Sequence, residues 1–185
     1  MSASRGEAAR QRIIAATREL VLDSGVAAFN VEAVAHAAGA ARSTIYRHWP
    51  EPHELLVDTL TSMSREFPTP DTGSLRSDLI ACAELLRPVL DDPRTRRLFL
   101  DITRAAAEDP EVEEVRQQLI EARHDPMRLI LQRAMARGEV DPEIDIRLAI
   151  HLVEGPWLST TVLQNLPMTD DDITTMVDLI AKALA

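Results

Sequence analysis

The chain has 185 residues, of which 45% are hydrophobic and 27% charged, and its formal net charge is −10. This composition is typical of a folded globular protein, and the length suits one core or a small domain beside a larger one. A single cysteine, Cys82, excludes an intramolecular disulfide and fits a reducing cytoplasm. The start of the chain lacks a signal-peptide pattern, and no apolar run approaches the roughly 20 residues of a membrane span. We therefore expect a cytoplasmic protein without a membrane partner.

The first helix is predicted from Ser4, which forms a capping-box pattern with Glu7, to Gly25. Asn30 is a good N-cap for a short second helix over 31–38, and Gly39 ends it. A third short helix follows over 42–49. Helical periodicity continues through the rest of the chain and no segment alternates as a strand does, so the sequence predicts an all-α fold of about nine helices.

Prolines mark the remaining boundaries. Pro50 and Pro52 end the third helix and begin a fourth that runs to about Phe67, and two prolines and a glycine in 68–73 separate a small head from a larger helical body. Helices are predicted near 74–90, 94–108, 111–137, 143–165 and 170–184. Within these, Pro126 and Pro156 are expected to kink or split the helix.

The second and third helices have the layout of a helix-turn-helix, two short helices around a tight glycine turn. Ala35 and Gly39 allow close crossing and the left-handed turn. Val34 and Ile45 are predicted to pack between the helices, and Trp49 to anchor the third helix to the head. The polar side chains divide between the exposed face and its margins: Arg42, Ser43, Thr44, Tyr46, Arg47 and His48.

The segment from Phe29 to Gly39, followed by Ser43-Thr-Ile-Tyr-Arg-His-Trp49 and Glu54-Leu-Leu56, resembles the tetracycline-repressor (TetR) family of bacterial transcriptional regulators. The resemblance is specific over about 30 residues of the head. In the body it is looser, and rests on Ala136-Arg-Gly-Glu139 leading to Glu154-Gly-Pro156. It implies a helix-turn-helix DNA-binding domain at 1–50, a connecting helix at 51–67 and a ligand-binding and dimerisation domain at 74–185.

DNA chemistry assigns roles to the head residues. A recognition helix presents its N-terminal side chains to base edges, so Arg42 is expected to read a guanine, while Ser43 and Thr44 suit phosphate or base contacts. The family resemblance implies that Tyr46 and His48 reach phosphates. Further candidates for contact with DNA are Asn30, Arg47 and, on the first helix, Arg5, Arg10 and Arg12.

Two departures from the family pattern weaken the expected DNA affinity. Ala41 stands where relatives place a capping Ser or Thr, and Glu51-Pro52 replaces a Ser-Lys pair that contacts phosphate. The charge is also divided: residues 1–50 carry +2 and the remainder −12. That asymmetry favours a DNA-facing head, although 19 of the 20 basic residues are Arg, which genomic base composition explains equally well.

The last two long helices carry apolar stripes that predict a dimer interface, because a single helix-turn-helix head binds a half-site weakly and such heads usually act in pairs. The alternative is that these stripes are core within one chain. The candidate interface residues are Leu152, Leu158, Thr161, Val162, Ile173, Met176, Val177 and Ile180.

In relatives, a body of this kind encloses an effector pocket, and the resemblance implies that a small molecule bound there changes DNA affinity. Each candidate is also explained as plain core. The candidate lining is Cys82, Leu86, Phe99, Ile102, His124, Met127, Leu131, His151 and Trp157.

No metal, cofactor or catalytic pattern emerges from the sequence, since the five histidines lack ligand spacing and no phosphate loop or nucleophile motif is present. We expect a non-enzymatic, ligand-responsive repressor that binds a palindromic DNA operator as a homodimer. Two alternatives stay open at this point. One is a helical interaction protein that has lost useful DNA affinity, and the other is a small helical enzyme.

Overall fold

The computed structural model describes residues 2–65 and 67–185, with side chains described for 6–63 and 67–185. The predicted capping interaction of Ser4 and the predicted phosphate contact of Arg5 lie outside the described side chains. Within the described ranges the chain forms helices and no strand, which confirms the all-α prediction. None of these helices combines the length and the apolar character that crossing a bilayer requires.

Nine α-helices form in the part of the chain that the structure describes. They are α1 (Ser2–Ser24), α2 (Val31–Ala38), α3 (Arg42–His48), α4 (Pro52–Arg65), α5 (Leu75–Asp91), α6 (Pro93–Ala106), α7 (Pro110–Ala136), α8 (Ile146–Trp157) and α9 (Asp170–Leu184). A 3-10 turn spans Val26–Ala28, and a π-helical segment spans Leu158–Leu163. Most bounds lie within two residues of the predicted ones.

The helix predicted over 143–165 begins later, at Ile146, and changes from α-helical to π-helical bonding just after Pro156, where the sequence predicted a kink or split. Asp145 caps α8, since its Oδ1 accepts hydrogen bonds from the backbone N–H of Arg147 at 2.8 Å and of Leu148 at 3.4 Å. The α-helix ends at Trp157, one residue after Pro156, where the missing proline N–H weakens the helical ladder and π-type bonding follows. By contrast, α7 runs through Pro126 without splitting.

The chain divides into two compact units. The N-terminal unit contains the described residues of Met1–Glu66 together with Arg97–Glu121, and the C-terminal unit contains Phe67–Arg96 and Ala122–Ala185. This division differs from the predicted one, which assigns all of 74–185 to the second domain. The physical reason is that Leu98, Ile102 and Val115 pack into an apolar cluster of the N-terminal unit.

Two apolar clusters hold the N-terminal unit together. The first joins α1, α2, α3 and α4 through Ile13, Ile14, Val31, Val34, Ala35, Ile45, Trp49 and Leu55. The second joins the end of α1 and α4 to α6 and α7 through Val21, Leu22, Val26, Leu56, Leu60, Leu98, Ile102 and Val115. The helix-turn-helix therefore rests on one cluster, and α6 and α7 complete the other.

The C-terminal unit has one large core built by α5, α7, α8 and α9. Its buried members include Leu79, Ile130, Leu131, Ile150, Trp157, Ile173, Val177 and Ile180. A fully buried carboxylate, that of Asp78 at the start of α5, holds the segment before α5 and the end of α7 together. It accepts from the Thr72 backbone N–H at 2.6 Å and from Arg137 Nη2 at 3.3 Å. The acidic run at 170–172 begins α9, where Thr169 and Asp172 form a capping box.

The C-terminal end of α1 is fixed by α6. Arg97 Nη2 donates to the carbonyl oxygens of Leu22 at 2.8 Å and Asp23 at 2.9 Å, which otherwise lack helical partners. Gly25 follows with φ 78° and ψ 171°, a conformation that almost only glycine adopts. A Cβ at Gly25 would lie 2.7 Å from Asp101 Oδ2. The carboxylate of Asp101 is the end of a flexible side chain and can move aside, so it is the backbone conformation that requires glycine at this position.

Gly25→Ala is expected to lower the free energy of unfolding by about 2–3 kcal/mol, because its φ of 78° and ψ of 171° lie in a backbone region that almost only glycine adopts. Gly39→Ala is the matched control: its φ of 57° and ψ of 40° lie in the left-handed helical region, which alanine adopts at a cost of about 1 kcal/mol. Urea unfolding of both variants measures the difference. Equal losses would contradict the role assigned to the Gly25 backbone.

Candidate nucleic-acid interface

The turn between α2 and α3 is a Schellman motif, which fixes the angle between two short helices. Gly39 is left-handed, with φ 57° and ψ 40°, and its N–H donates to the His36 carbonyl at 3.2 Å. The next N–H, that of Ala40, donates to the Ala35 carbonyl at 3.0 Å. At the other end of α2, Asn30 Oδ1 accepts from the Ala33 N–H at 2.8 Å. The local sequence thus specifies where α2 begins and ends.

The buried side of α3 consists of Ile45, which is 0% exposed, and of Trp49 directly after the helix, which is 4% exposed. Both pack with Val34 and Ala35 of α2 in the first apolar cluster of the N-terminal unit. Of the five residues predicted to form the helix-turn-helix core, four lie in this cluster, Val34, Ala35, Ile45 and Trp49. The fifth, Gly39, forms the turn between α2 and α3.

The opposite side of α3 is exposed and polar. Arg42, Ser43, Tyr46 and Arg47 are all exposed, and their spacing of three to four residues places them on one helix face. We call these four residues the α3 face. Thr44 and His48 lie at its margins and are partly buried. An exposed face with two guanidinium groups, a hydroxyl and a phenol suits contact with the edges and phosphates of DNA.

The other predicted DNA contacts differ in their surroundings. Both polar atoms of Asn30 are used within the head, since Nδ2 donates to the Ala28 carbonyl at 3.2 Å while Oδ1 caps α2. Nε2 of His48 is buried and has no hydrogen-bond partner among the described residues, and the ring lies against Trp49 with centroids 5.5 Å apart. Arg10 is paired with Asp58, whereas Arg12 is exposed.

The departures at Ala41 and at Glu51-Pro52 have different structural consequences. Ala41 is the N-cap residue of α3 and supplies no side-chain hydrogen bond. Glu51 and Pro52, however, make a regular helix start: Pro52 is the first residue of α4, and Glu54 Oε2 accepts from the Glu51 N–H at 3.2 Å. The lost Lys of the family pattern is thus accompanied by a stabilised start of α4.

Comparison with known proteins identifies both parts of the chain. Residues 13–58 match the family described as bacterial regulatory proteins, tetR family, and residues 69–180 match the family described as tetracyclin repressor-like, C-terminal domain. The chain belongs to the TetR family.

The similarity to individual proteins of the family extends over nearly the whole chain. The DNA-binding transcriptional repressor TetR of Mycobacteroides abscessus is 32% identical over 179 residues, which cover 95% of this chain and 93% of that protein. The crystal structure of the TetR family transcription regulator SCO0332 superimposes with a TM-score of 0.77 at 24% identity, covering 96% of this chain and 98% of that one. The regulator FadR of Bacillus subtilis, solved in complex with stearoyl-CoA, has a TM-score of 0.67 at 18% identity, covering 94% and 96%.

The residues predicted to line an effector pocket fall into two groups. Met127, Leu131 and Trp157 lie in the core of the C-terminal unit, with Cys82 packed against it, Leu86 partly buried and His151 exposed. Phe99 and Ile102 belong to the N-terminal unit, and Ile102 packs there with Leu98 and Val115. Within the C-terminal unit, the structure therefore brings Met127, Leu131, Trp157 and Cys82 together in one core.

A partly buried polar cluster in the C-terminal unit includes two residues, Arg123 and Glu154, that the sequence did not single out for the pocket. Glu154 Oε2 lies 2.9 Å from Arg123 Nη2 and 3.4 Å from His124 Nε2, and the rings of His124 and His151 meet edge to face at 5.7 Å. Burial raises the pKa of Glu154, against the opposing charge of Arg123. Burial, and then the charge of Glu154, raises the pKa of Cys82 to about 11. Among the described residues, no group of His, Cys, Asp or Glu is arranged to hold a metal ion.

The predicted dimer residues are also divided by burial. Ile173, Val177 and Ile180 are buried in the core of the C-terminal unit, and Thr161 and Val162 are buried as well. Leu152 is 42% exposed, and Leu158 and Met176 are partly buried. Two further exposed leucines, Leu148 and Leu179, share the outer faces of α8 and α9. The apolar stripes therefore serve the core on one side and leave a separate leucine-rich face outside.

A groove of about 550 Å³ runs between α8 and α9 on this outer face. We call it the α8–α9 groove. Its lining is mostly apolar with two carboxylates: Leu152, Pro156, Asp171, Asp172, Thr175, Met176, Leu179, Ile180 and Ala183.

Ala41→Ser is expected to raise the free energy of unfolding by about 1 kcal/mol, because a serine hydroxyl at the N-cap accepts a hydrogen bond from an N–H in the first turn of α3. Asn30→Ala is the matched control, since it removes the cap that α2 already has and is expected to cost about 1 kcal/mol. Chemical denaturation measures both. A neutral Ala41→Ser beside a costly Asn30→Ala would contradict an uncapped α3.

Proposed function

We propose that this TetR-family transcriptional regulator binds a palindromic DNA operator as a homodimer and is released by a small-molecule effector. The observation that carries the DNA-binding part is the α3 face: Arg42, Ser43, Tyr46 and Arg47 are exposed together on a helix whose other side is buried through Ile45. A helix held in this way places its N-terminal side chains in the major groove, where base edges differ.

The roles within the α3 face follow from side-chain chemistry. Arg42 is the first residue of α3, and a guanidinium there matches the two acceptors of a guanine. Tyr46 is 47% exposed and Arg47 is exposed beside it, one helical turn further on, where phosphates are the nearer partners. We assign base reading to Arg42, phosphate contact to Tyr46 and Arg47, and mixed contacts to Ser43 and Thr44.

The second copy of the chain is proposed to cover the α8–α9 groove. Leu152 and Leu179, 42% and 65% exposed, lie on a face that an isolated protomer leaves in water. Pairing α8 and α9 with the same helices of a second protomer buries this face by two-fold symmetry and forms a four-helix bundle. A dimer also brings two heads to two half-sites, which a palindromic operator requires.

The effector is proposed to bind in the C-terminal unit, near Cys82, His124 and Glu154. These groups combine apolar core with buried polar atoms, as small-molecule sites do. The stearoyl-CoA complex of the related FadR supports a small molecule as the regulating ligand. Ligand binding then alters DNA affinity through a coupling free energy of typically about 1–3 kcal/mol. We infer no catalytic activity, and we place the protein with its DNA in the cytoplasm.

A second function, that of an interaction protein without useful DNA affinity, is favoured by the uncapped Ala41 and by the exposed Glu51 beside α4. Selection of DNA from a random or genomic pool by the purified protein separates the two. Enrichment of a palindrome, with affinity that falls steeply as salt rises, supports the regulator. A pool that stays unenriched at low salt supports the interaction protein.

Arg42→Ala is expected to weaken binding to the selected operator by roughly 1–3 kcal/mol and to relax the preference at one base pair, since it removes a bidentate contact to a base. Tyr46→Phe serves as the comparison: loss of its hydroxyl is expected to weaken binding similarly on all sequences. Fluorescence anisotropy on a panel of single-base operator variants measures both. A uniform loss for Arg42→Ala, or a sequence-selective loss for Tyr46→Phe, contradicts the assigned roles.

Leu152→Glu and Leu179→Glu are each expected to convert the dimer into monomers, because a carboxylate in a buried apolar interface is strongly unfavourable. Leu100→Glu is the matched control, since Leu100 of α6 is 46% exposed and does not line the α8–α9 groove. Sedimentation equilibrium gives the mass of each variant. Variants at Leu152 and Leu179 that stay dimeric would place the interface elsewhere.

A further inference from the structure

One carboxylate oxygen in the N-terminal unit connects three helices. Asp58 Oδ2, on α4, accepts from the indole Nε1–H of Trp49 at 2.9 Å and from Nη2 of Arg10, on α1, at 2.5 Å. The guanidinium of Arg10 also lies 5.7 Å from the centre of the Trp49 ring. We call these contacts among Asp58, Trp49 and Arg10 the Asp58 tie.

The Asp58 tie acts on the end of the recognition helix. Trp49 is the residue that ends α3, and its backbone N–H donates to the Ile45 carbonyl at 2.9 Å. The backbone of Trp49 is therefore fixed to α3 while its indole is fixed to α4. A displacement of Asp58 would therefore displace the C-terminal end of α3, because the rigid indole of Trp49 connects the two.

The recognition helix depends on such external contacts. It has seven residues, and a helix of two turns is not stable alone in water. Its N-terminal end has no side-chain cap, because Ala41 occupies that position. The direction of the α3 face is consequently set by the burial of Ile45 and by the anchoring of Trp49 at the other end.

A purely electrostatic role for Asp58 predicts the opposite effect on DNA binding. Asp58 and Arg10 have side chains that are 29% and 31% exposed, so removing the carboxylate would leave a partly exposed guanidinium with one acidic partner fewer. One fewer negative charge and one more available cation would strengthen binding to all DNA and steepen its salt dependence. The sign of the effect thus distinguishes positioning from charge.

We propose that Asp58 is a positioning residue for DNA recognition, which orients the α3 face by holding the Trp49 indole and Arg10 on α4. This role rests on the proposed binding of DNA by α3. Its consequence is that specific affinity, rather than general affinity for DNA, depends on the Asp58 tie.

The test compares Asp58→Ala, Trp49→Phe and the double variant, with Glu32→Gln as a control that removes one exposed carboxylate of α2 outside the tie. The quantity measured is the ratio of affinity for the selected operator to affinity for unrelated DNA. Each single variant is expected to lower this ratio about tenfold, the equivalent of one hydrogen bond to a charged group, and the double variant no further. Glu32→Gln is expected to leave the ratio unchanged.

A spectroscopic signal checks the contact itself. The chain has two tryptophans, so a ¹⁵N–¹H spectrum is expected to show two indole N–H signals, and Trp49→Phe identifies one of them. Asp58→Ala, which leaves no side-chain acceptor for the indole, is expected to shift the Trp49 signal and leave that of Trp157 in place. An unshifted Trp49 signal shows that no such hydrogen bond exists in solution and overturns the proposal.

The affinity results separate this proposal from the proposed function. Wild-type protein that enriches no DNA sequence contradicts the proposed function, and the positioning role fails with it. Wild-type protein that binds its operator, with single variants that keep the affinity ratio or raise all affinities, overturns the positioning role alone. Additive losses in the double variant also overturn it, because Asp58 and Trp49 would then act independently.

Discussion

Burial of Ile45 is the constraint on which the position of the α3 face depends. Helix α3 has seven residues and no side-chain cap at its N-terminus, so its own hydrogen bonds do not keep it folded. Ile45 is 0% exposed and packs with Val34 of α2 and Leu55 of α4, which ties α3 to both neighbours. The Gly39 turn fixes the entry into α3, and Trp49 fixes its exit. The four polar side chains of the α3 face point to solvent because the opposite side of α3 is buried against α2 and α4.

The local elements of the head could be predicted from the sequence, because caps and turns are specified by neighbouring residues. Asn30 and Gly39 mark α2, and the Pro50 and Pro52 pair marks the gap between α3 and α4. The contact of Trp49 with Asp58 was not predicted, since it joins residues nine apart across that gap. The available signal was chemical: a buried indole N–H needs an acceptor, and Asp58 is one turn after the buried Leu55.

Apolar periodicity in the C-terminal unit showed that α8 and α9 each have a buried face, but not what covers it. Ile173, Val177 and Ile180 fit an interface between protomers as well as a core, and the packing of α9 with α5 and α8 shows that they belong to the core. The same ambiguity affected Ile102, which the sequence placed near a ligand and the structure places beside Leu98. An apolar sequence pattern therefore shows that a helix face is buried, but it does not show which other element covers that face.

The N-terminal unit is completed by a later part of the chain, Arg97–Glu121, so it cannot fold completely until that part has been synthesised. Leu22, Leu56 and Leu60 are buried partly by Leu98, Ile102 and Val115, which emerge from the ribosome at least 38 residues after Leu60. During synthesis, the helix-turn-helix can form on its own cluster while this second apolar surface is still uncovered. The nascent N-terminal segment is then an aggregation-prone intermediate. Its apolar surface stays exposed until α6 and α7 have been synthesised, unless a chaperone covers it.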